Sequence, residues 1–396
     1  MQRARRLDLI PPYLFAEIAR KVRAKREAGI DVITLGIADP DQPTPDHIID
    51  AMVRAVRDVG DPDRHRYGGD VPVKEFPQAV ADWYQRRFGV TLDPATEVLP
   101  LIGSKEGIAH VALAMIDPPH PGAEGDVTLV PQPGYPVYTM GTYFAGGEVH
   151  VMPLREANGW LPDFDAIPHD LRRRAKVMWL NYPNNPTGAV ATKEFLARAV
   201  SFAHEHDLLI CHDAAYTELT YDGYVAPSIL EIEGARDVCI EFNSLSKPYN
   251  MTGWRIAMAV GNREALAALN LVKENSDSGI LRAIQWAGVA ALTGPQDCVR
   301  EVCEIYRRRR DLIADSLARV GITFPKPKAT LYVWAPVPAR FPSSAAFAEH
   351  LIEQAAVVVT PGRGYGDAGE GYFRVSLTYP DDRTREAMAR IEKALA

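Results

Sequence analysis

The stretch KVMWLNYPNNPTGAVATKEFLARAVSFAHEHDLLICHDAAY, residues 176–216, decides the fold. It opens on an apolar run at 176–180 and breaks into the turn-rich Asn181-Tyr182-Pro183-Asn184-Asn185-Pro186-Thr187-Gly188. It resumes at 193–206 with apolar positions at helical spacing, then closes on a second apolar run at 208–211 and His212-Asp213-Ala214-Ala215-Tyr216. Strand, crossover helix and strand make one βαβ unit, whose strands pair in parallel. Outward from it, strand-like runs at 127–130, 238–242 and 256–260 alternate with amphipathic stretches at 105–116 and 264–273. The alternation predicts an α/β core with a mostly parallel sheet. Such sheets present ligand-binding groups at their strand ends, so the loops 181–188, 212–216 and 243–247 are expected to converge on one crevice.

From about residue 292 the texture changes. A long charged helix at 298–319, a strand at 332–334, a helix near 345–356 and a strand at 372–377 predict a second, smaller α+β domain. The first forty or so residues hold no complete βα unit and are expected to pack with it. The expected division is a large domain at 46–290 and a small domain built from 1–45 and 291–396. The arginine runs 172–174 and 307–310 read as solvated helix faces.

At 396 residues, with a net charge of −7 and 47% hydrophobic and 24% charged residues, the chain has the composition of a soluble globular enzyme and no broad attraction for nucleic acid. No run approaches the roughly 20 apolar residues of a membrane-spanning helix. The start MQRARRLDLIPPY has no apolar run suited to export, and Cys211, Cys239, Cys298 and Cys303 form no CxxC pair. A cytoplasmic protein with reduced thiols is expected.

Ser244-Leu245-Ser246-Lys247 sets two hydroxyls and an amine eight residues before Arg255. An amine attacks an aldehyde only when unprotonated, and desolvation or a fixed cation lowers a lysine pKa enough to allow it. Hydroxyls, backbone N–H groups and a guanidinium suit a phosphate dianion. Together they match a phosphorylated aldehyde cofactor; a surface lysine near an arginine is the plain alternative. Asp213 could pair with a protonated pyridine nitrogen and keep the ring an electron sink, or could simply cap a following helix. His212 reads as a packed neighbour, since no second ligand stands at zinc-like spacing.

In this order and spacing, NYPNNPTG, HDAAY, SLSK and the Gly253-Trp254-Arg255 triplet resemble the fold type I aminotransferases that use pyridoxal 5′-phosphate, and the resemblance covers nearly the whole chain. It implies a mostly parallel seven-stranded sheet flanked by helices, beside a smaller α+β domain. Under it Lys247 is the Schiff-base lysine, Asp213 the pyridinium partner, and Asn185 with Tyr216 the donors to the ring oxygen. Ser244, Ser246 and Arg255 join the cofactor site. Gly103-Ser104-Lys105-Glu106-Gly107 resembles the turn that opens a helix whose N–H groups near Ser104 and Lys105 receive the phosphate, although any helix start shares that geometry. Tyr135, rather than Tyr138, is expected to stack on the pyridine face. Arg374 resembles the arginine that clamps the substrate α-carboxylate. Tyr67 would reach the phosphate of a neighbouring subunit, so a homodimer with shared active sites is expected, taking an amino-acid donor and a 2-oxo-acid acceptor.

The segments 12–18, Leu35-Gly36-Ile37-Ala38-Asp39-Pro40, 101–109 and Ala145-Gly146-Gly147-Glu148 are most similar to the LL-diaminopimelate aminotransferase group. In that group Tyr13, Gly36 and Lys105 help to form the substrate pocket, together with Asn185 and Arg374. The implied reaction passes the amino group of LL-2,6-diaminopimelate to 2-oxoglutarate, giving tetrahydrodipicolinate, glutamate and water. The loop after Tyr67 departs from the group's usual sequence; its Asp70 reads either as a contact for a distal ammonium or as a solvated loop residue. Ala38 replaces a glycine, and 118–125 reads as a surface loop. Aspartate, alanine or an aromatic amino acid remain alternative donors, and a β-elimination lyase an alternative chemistry. A cofactor-sensing transcription regulator would need a DNA-binding domain, for which the start of the chain leaves no room.

Overall fold

The computed structural model describes residues 2–10, 14–69 and 72–396; Tyr13 and Asp70 lie outside the described residues. Seven strands form the main sheet: β1 (Val98–Leu101), β2 (Val127–Gln132), β3 (Glu148–Pro153), β4 (Ala175–Asn181), β5 (Leu209–Asp213), β6 (Cys239–Ser244) and β7 (Ala257–Gly261). Their order is β1-β7-β6-β5-β4-β2-β3. All neighbours pair in parallel except β7, which runs antiparallel to both β1 and β6. The sheet is therefore mostly parallel, as the alternation of strands and helices predicts. Strands β1 and β3 went unread in the sequence.

Alternation along β4 builds a core on each face of the sheet. Val177 and Trp179 pack with Ile108, Val111, Tyr138 and Phe242 on one side. Met178 and Leu180 face the other, against Phe195, Ala199 and Ile210. Each fully buried side chain of this size stabilises the fold by about 1.5–3 kcal/mol before entropy is charged against it. The crossover helix Lys193–His206 begins where the Thr192 side chain accepts from the Phe195 N–H, and ends at Asp207 in the left-handed conformation.

A second core gathers Ile33 and Leu35 with residues of 302–395. Three antiparallel strands, β8 (Tyr332–Pro336), β9 (Thr360–Pro361) and β10 (Tyr372–Ser376), lie there in the order β9-β10-β8. Residues 33–34 pair in parallel with 357–358, which ties the N-terminal segment to this part of the chain.

One sequence expectation fails. Arg309 and Arg310, on the helix Asp297–Arg319, are 4% and 2% exposed and form no solvated face. Arg309 donates to Asp41, Asp381 and the Leu377 carbonyl. Arg310 donates to Asp222, Asp311 and the Pro327 carbonyl. Four arginines in a row span more than one helical turn, so at least one must turn inward; Asp41 and Asp222 meet the pair from distant loops, Asp381 from the start of the helix Asp381–Leu395, and Asp311 from the same helix.

Candidate active site

Strands β4, β5 and β6 end side by side: Asn181 lies opposite Asp213, and Asp213 opposite Phe242. The loops beyond them, with the helix start at Ser104 and β10, enclose a cavity of about 700 Å³. Ser104, Lys105, Tyr135, Asn185, Asp213, Tyr216, Ser244, Ser246, Lys247, Arg255 and Arg374 all line it. Gly36 borders it through its carbonyl, which accepts from Arg374. Tyr67 lies outside the lining and is 69% exposed.

Lys247 is largely but not fully buried, and its ammonium donates to the Ala38 carbonyl at 3.1 Å. Burial lowers its pKa to about 8, helped by Arg374 and Arg255 and opposed by the Asp39 carboxylate. A sizeable fraction of this amine is thus neutral near physiological pH.

Asp213 ends β5 without capping a helix, because the residues after it form turns. Its Oδ2 accepts from the Tyr138 hydroxyl at 2.7 Å, and Tyr138 is stacked on Trp179 with ring centroids 4.5 Å apart. Oδ1 is buried, and among the described residues nothing donates to it. Burial raises the Asp213 pKa, against the lowering effects of Tyr138, the Ala215 N–H and His212. Such a carboxylate needs a cationic donor, and a protonated ring nitrogen is one. His212 is the packed neighbour expected: it bonds Glu241 at 2.9 Å inside the core.

Arg374 sends Nη1 to Asn185 Oδ1 and Nη2 to the Gly36 carbonyl, each at 2.9 Å. A guanidinium only donates, so this contact fixes the Asn185 oxygen toward Arg374 and turns its amide nitrogen elsewhere. The Arg374 guanidinium also lies over the rings of Tyr332 and Tyr365, at 4.2 and 4.9 Å.

Beside Arg255, Gly103 precedes the helix Ser104–Met115 at φ 72°, a conformation that favours glycine. A Cβ there would stand 2.1 Å from Arg255 Nη2. Arg255 itself holds a left-handed φ of 55° and bonds the Thr252 carbonyl. Helix N–H groups, two buried serines and this guanidinium make a cradle for a phosphate dianion. Amine, orphaned carboxylate and cradle together fit pyridoxal 5′-phosphate.

Sequence reasoning left Tyr332, Tyr365, Thr252 and Asp39 without roles, and weighed Tyr138 only for stacking. Ala38 and Asp39 were visible in the LGIADP segment. Nothing in the run TLYVW marks Tyr332, because only the register of β8 against β10 brings it beneath Arg374.

The family profile for aminotransferase class I and II matches residues 30–391. The chain is 55% identical over 395 residues to the LL-diaminopimelate aminotransferase of Moorella thermoacetica, covering 100% of this chain and 99% of that one. It is 56% identical over 392 residues to the enzyme of the same name from Desulforudis audaxviator, covering 99% and 97%. Among solved structures, substrate-bound BacF from Bacillus subtilis superimposes with a TM-score of 0.92 at 38% identity, over 99% of this chain and 98% of that one. A single mutant of Thermus thermophilus aspartate aminotransferase gives 0.89 at 30% identity, with both chains fully covered. The chain is therefore a member of the class I and II aminotransferase family, whose cofactor is pyridoxal 5′-phosphate.

Proposed function

We propose that this chain transaminates LL-2,6-diaminopimelate with 2-oxoglutarate, giving tetrahydrodipicolinate, glutamate and water in lysine biosynthesis. The observation that carries the substrate is the 55–56% identity over essentially full length to two enzymes of that name. When bound, pyridoxal 5′-phosphate supplies an aldehyde for covalent capture of an amine and a ring that takes up negative charge developing at the substrate α-carbon.

The chain's own residues divide the remaining work. Lys247 Nζ, neutral above about pH 8, acts as nucleophile and then moves the proton at the substrate α-carbon. Asp213 Oδ1 holds the proton on the ring nitrogen. Asn185 through its amide nitrogen and Tyr216 through its hydroxyl donate to the ring oxygen, while Tyr135 covers the ring face. Ser104, Lys105, Ser244, Ser246 and Arg255 hold the phosphate. Arg374 binds the α-carboxylate, and Tyr13, Gly36, Lys105 and Asn185 complete the substrate pocket. The working division is a large domain at 46–290 and a small one at 1–45 and 291–396.

The active form is a cytoplasmic homodimer in which Tyr67 serves the partner's phosphate. Its exposure and its position outside its own cavity support that reading. Among the described residues no helix is long and apolar enough to cross a membrane.

The test is glutamate formation from 2-oxoglutarate by the purified holoenzyme with LL-diaminopimelate, aspartate, alanine or an aromatic amino acid. Preference for diaminopimelate supports the proposal. Preference for another donor overturns the substrate and keeps the family chemistry; pyruvate and ammonia released without an acceptor would mark a lyase.

A further inference from the structure

Tyr332 belongs to none of the sequence motifs, yet it touches two groups that carry separate roles. Its hydroxyl lies 2.6 Å from that of Tyr216, and the Arg374 guanidinium is centred 4.2 Å over its ring. At 3% and 6% exposure, Tyr332 and Tyr216 are buried, and both line the cavity. The backbone fixes the pair: Thr330 holds φ 78°, rare for a β-branched residue, its N–H donates to the Leu219 carbonyl at 2.9 Å, and its carbonyl accepts from the Tyr221 hydroxyl. The segments that carry Tyr216 and Tyr332 are thereby pinned together.

Two hydroxyls share one proton along their O···O line, so one must donate and the other accept. A cation fixed over the Tyr332 ring stabilises negative charge on that phenol and makes Tyr332 the donor. Tyr216 then accepts on its oxygen, and its own hydrogen is left for the cavity that it lines with Asp213 and Lys247.

We propose that Tyr332 is a positioning residue: by donating to Tyr216 it turns the Tyr216 proton into the cavity and strengthens it as a donor to the ring oxygen of the bound cofactor. This is cooperative polarisation along a buried hydrogen-bond chain. It rests on the reading that Tyr216 meets that oxygen.

The test follows the cofactor absorbance of substrate-free holoenzyme against pH in wild type, Tyr332→Phe, Tyr216→Phe and the double variant. A donor to the ring oxygen stabilises its negative charge, so weakening that donor raises the pH midpoint. Tyr332→Phe keeps the ring beneath Arg374 and removes only the hydroxyl. It is expected to raise the midpoint by roughly 0.2–0.5 units, the cooperative part of a charge-assisted bond, and Tyr216→Phe by about 1 unit or more. The double variant is expected to match Tyr216→Phe alone. An unmoved midpoint in Tyr332→Phe overturns the proposal, as does a shift that persists undiminished in the Tyr216→Phe background. A wild-type protein that takes up no cofactor overturns the functional reading as well, and is told apart because the reference titration itself is then missing.

Discussion

Lys247 places an amine where water cannot fully solvate its charged form. With its pKa lowered to about 8 by burial, capture of pyridoxal 5′-phosphate by the cofactor-free protein should accelerate as pH rises through about 8, since only the neutral amine attacks. A stopped-flow absorbance series between pH 6.5 and 9 checks this; a flat profile would count against it. The same burial has a stability consequence. The folded-state value lies below the unfolded value of 10.5, so the penalty is fully present below about 8 and fades as pH rises toward 10.5. At pH 7 it amounts to about 3 kcal/mol. Cofactor-free Lys247→Met should therefore melt a few degrees higher than wild type at pH 7, with the gap closing near pH 10, while its transamination falls by at least ~10³-fold. Lys247 and Asp213 were legible in the sequence because their residue types and spacing answer a specific chemical need, whereas Asn185 and Arg374 were legible only through the resemblance of their motifs to the aminotransferase family. Tyr332 and Tyr138 were not, since a tyrosine in an apolar strand or turn looks the same whether its hydroxyl is structural or functional.

Among the elements, the helix Ser104–Met115 shows how one glycine governs a binding cradle. In Gly103→Ala the new methyl group would collide with Arg255, whose guanidinium must move away. Pyridoxal phosphate affinity is expected to fall by about 10–100-fold, the worth of a charge-assisted contact, with the circular dichroism spectrum unchanged. Equilibrium dialysis reads the outcome directly. The long helix Asp297–Arg319 supplies a contrast within one element. Arg309→Ala removes the partner of Asp41 and Asp381 from a site where the arginine is 4% exposed, and should cost about 3 kcal/mol in urea unfolding. Arg300→Ala, whose ion pair with Asp297 is solvent-exposed, should cost less than about 0.5 kcal/mol. Equal losses would mean that burial does not set the difference. The central strands were readable because both their faces are apolar. Strand β1 (VLPL) is short and carries a proline, which argues against a strand, and β3 (EVHVMP) is a half-exposed edge without a continuous apolar run.

For the molecule as a whole, the reach of Tyr67 can be tested by mixing subunits. Lys247→Ala and Tyr67→Ala chains should each be impaired, yet unfolding and refolding them together should restore about a quarter of wild-type sites, because each mixed dimer regains one complete site. Activity that stays at the sum of the two parents would show that Tyr67 acts within its own chain. The loop that carries Tyr67 is well anchored for such a reach. The Gly69 N–H donates to the Ser278 carbonyl at 2.9 Å, and a Cβ on Gly68 would fall 1.7 Å from the Ile280 carbonyl oxygen.

The Gly36 carbonyl has the last consequence. It accepts one hydrogen from Arg374 Nη2, while Nε of Arg374 has no hydrogen-bond partner among the described residues. Nη2 carries two hydrogens, so the carbonyl can keep one while a carboxylate docking side-on, as proposed for the substrate, would take the other together with Nε–H. Asn185 and the Gly36 backbone thereby hold the guanidinium plane still before any anion arrives, so the entropy of ordering that long side chain is lost in folding rather than in binding.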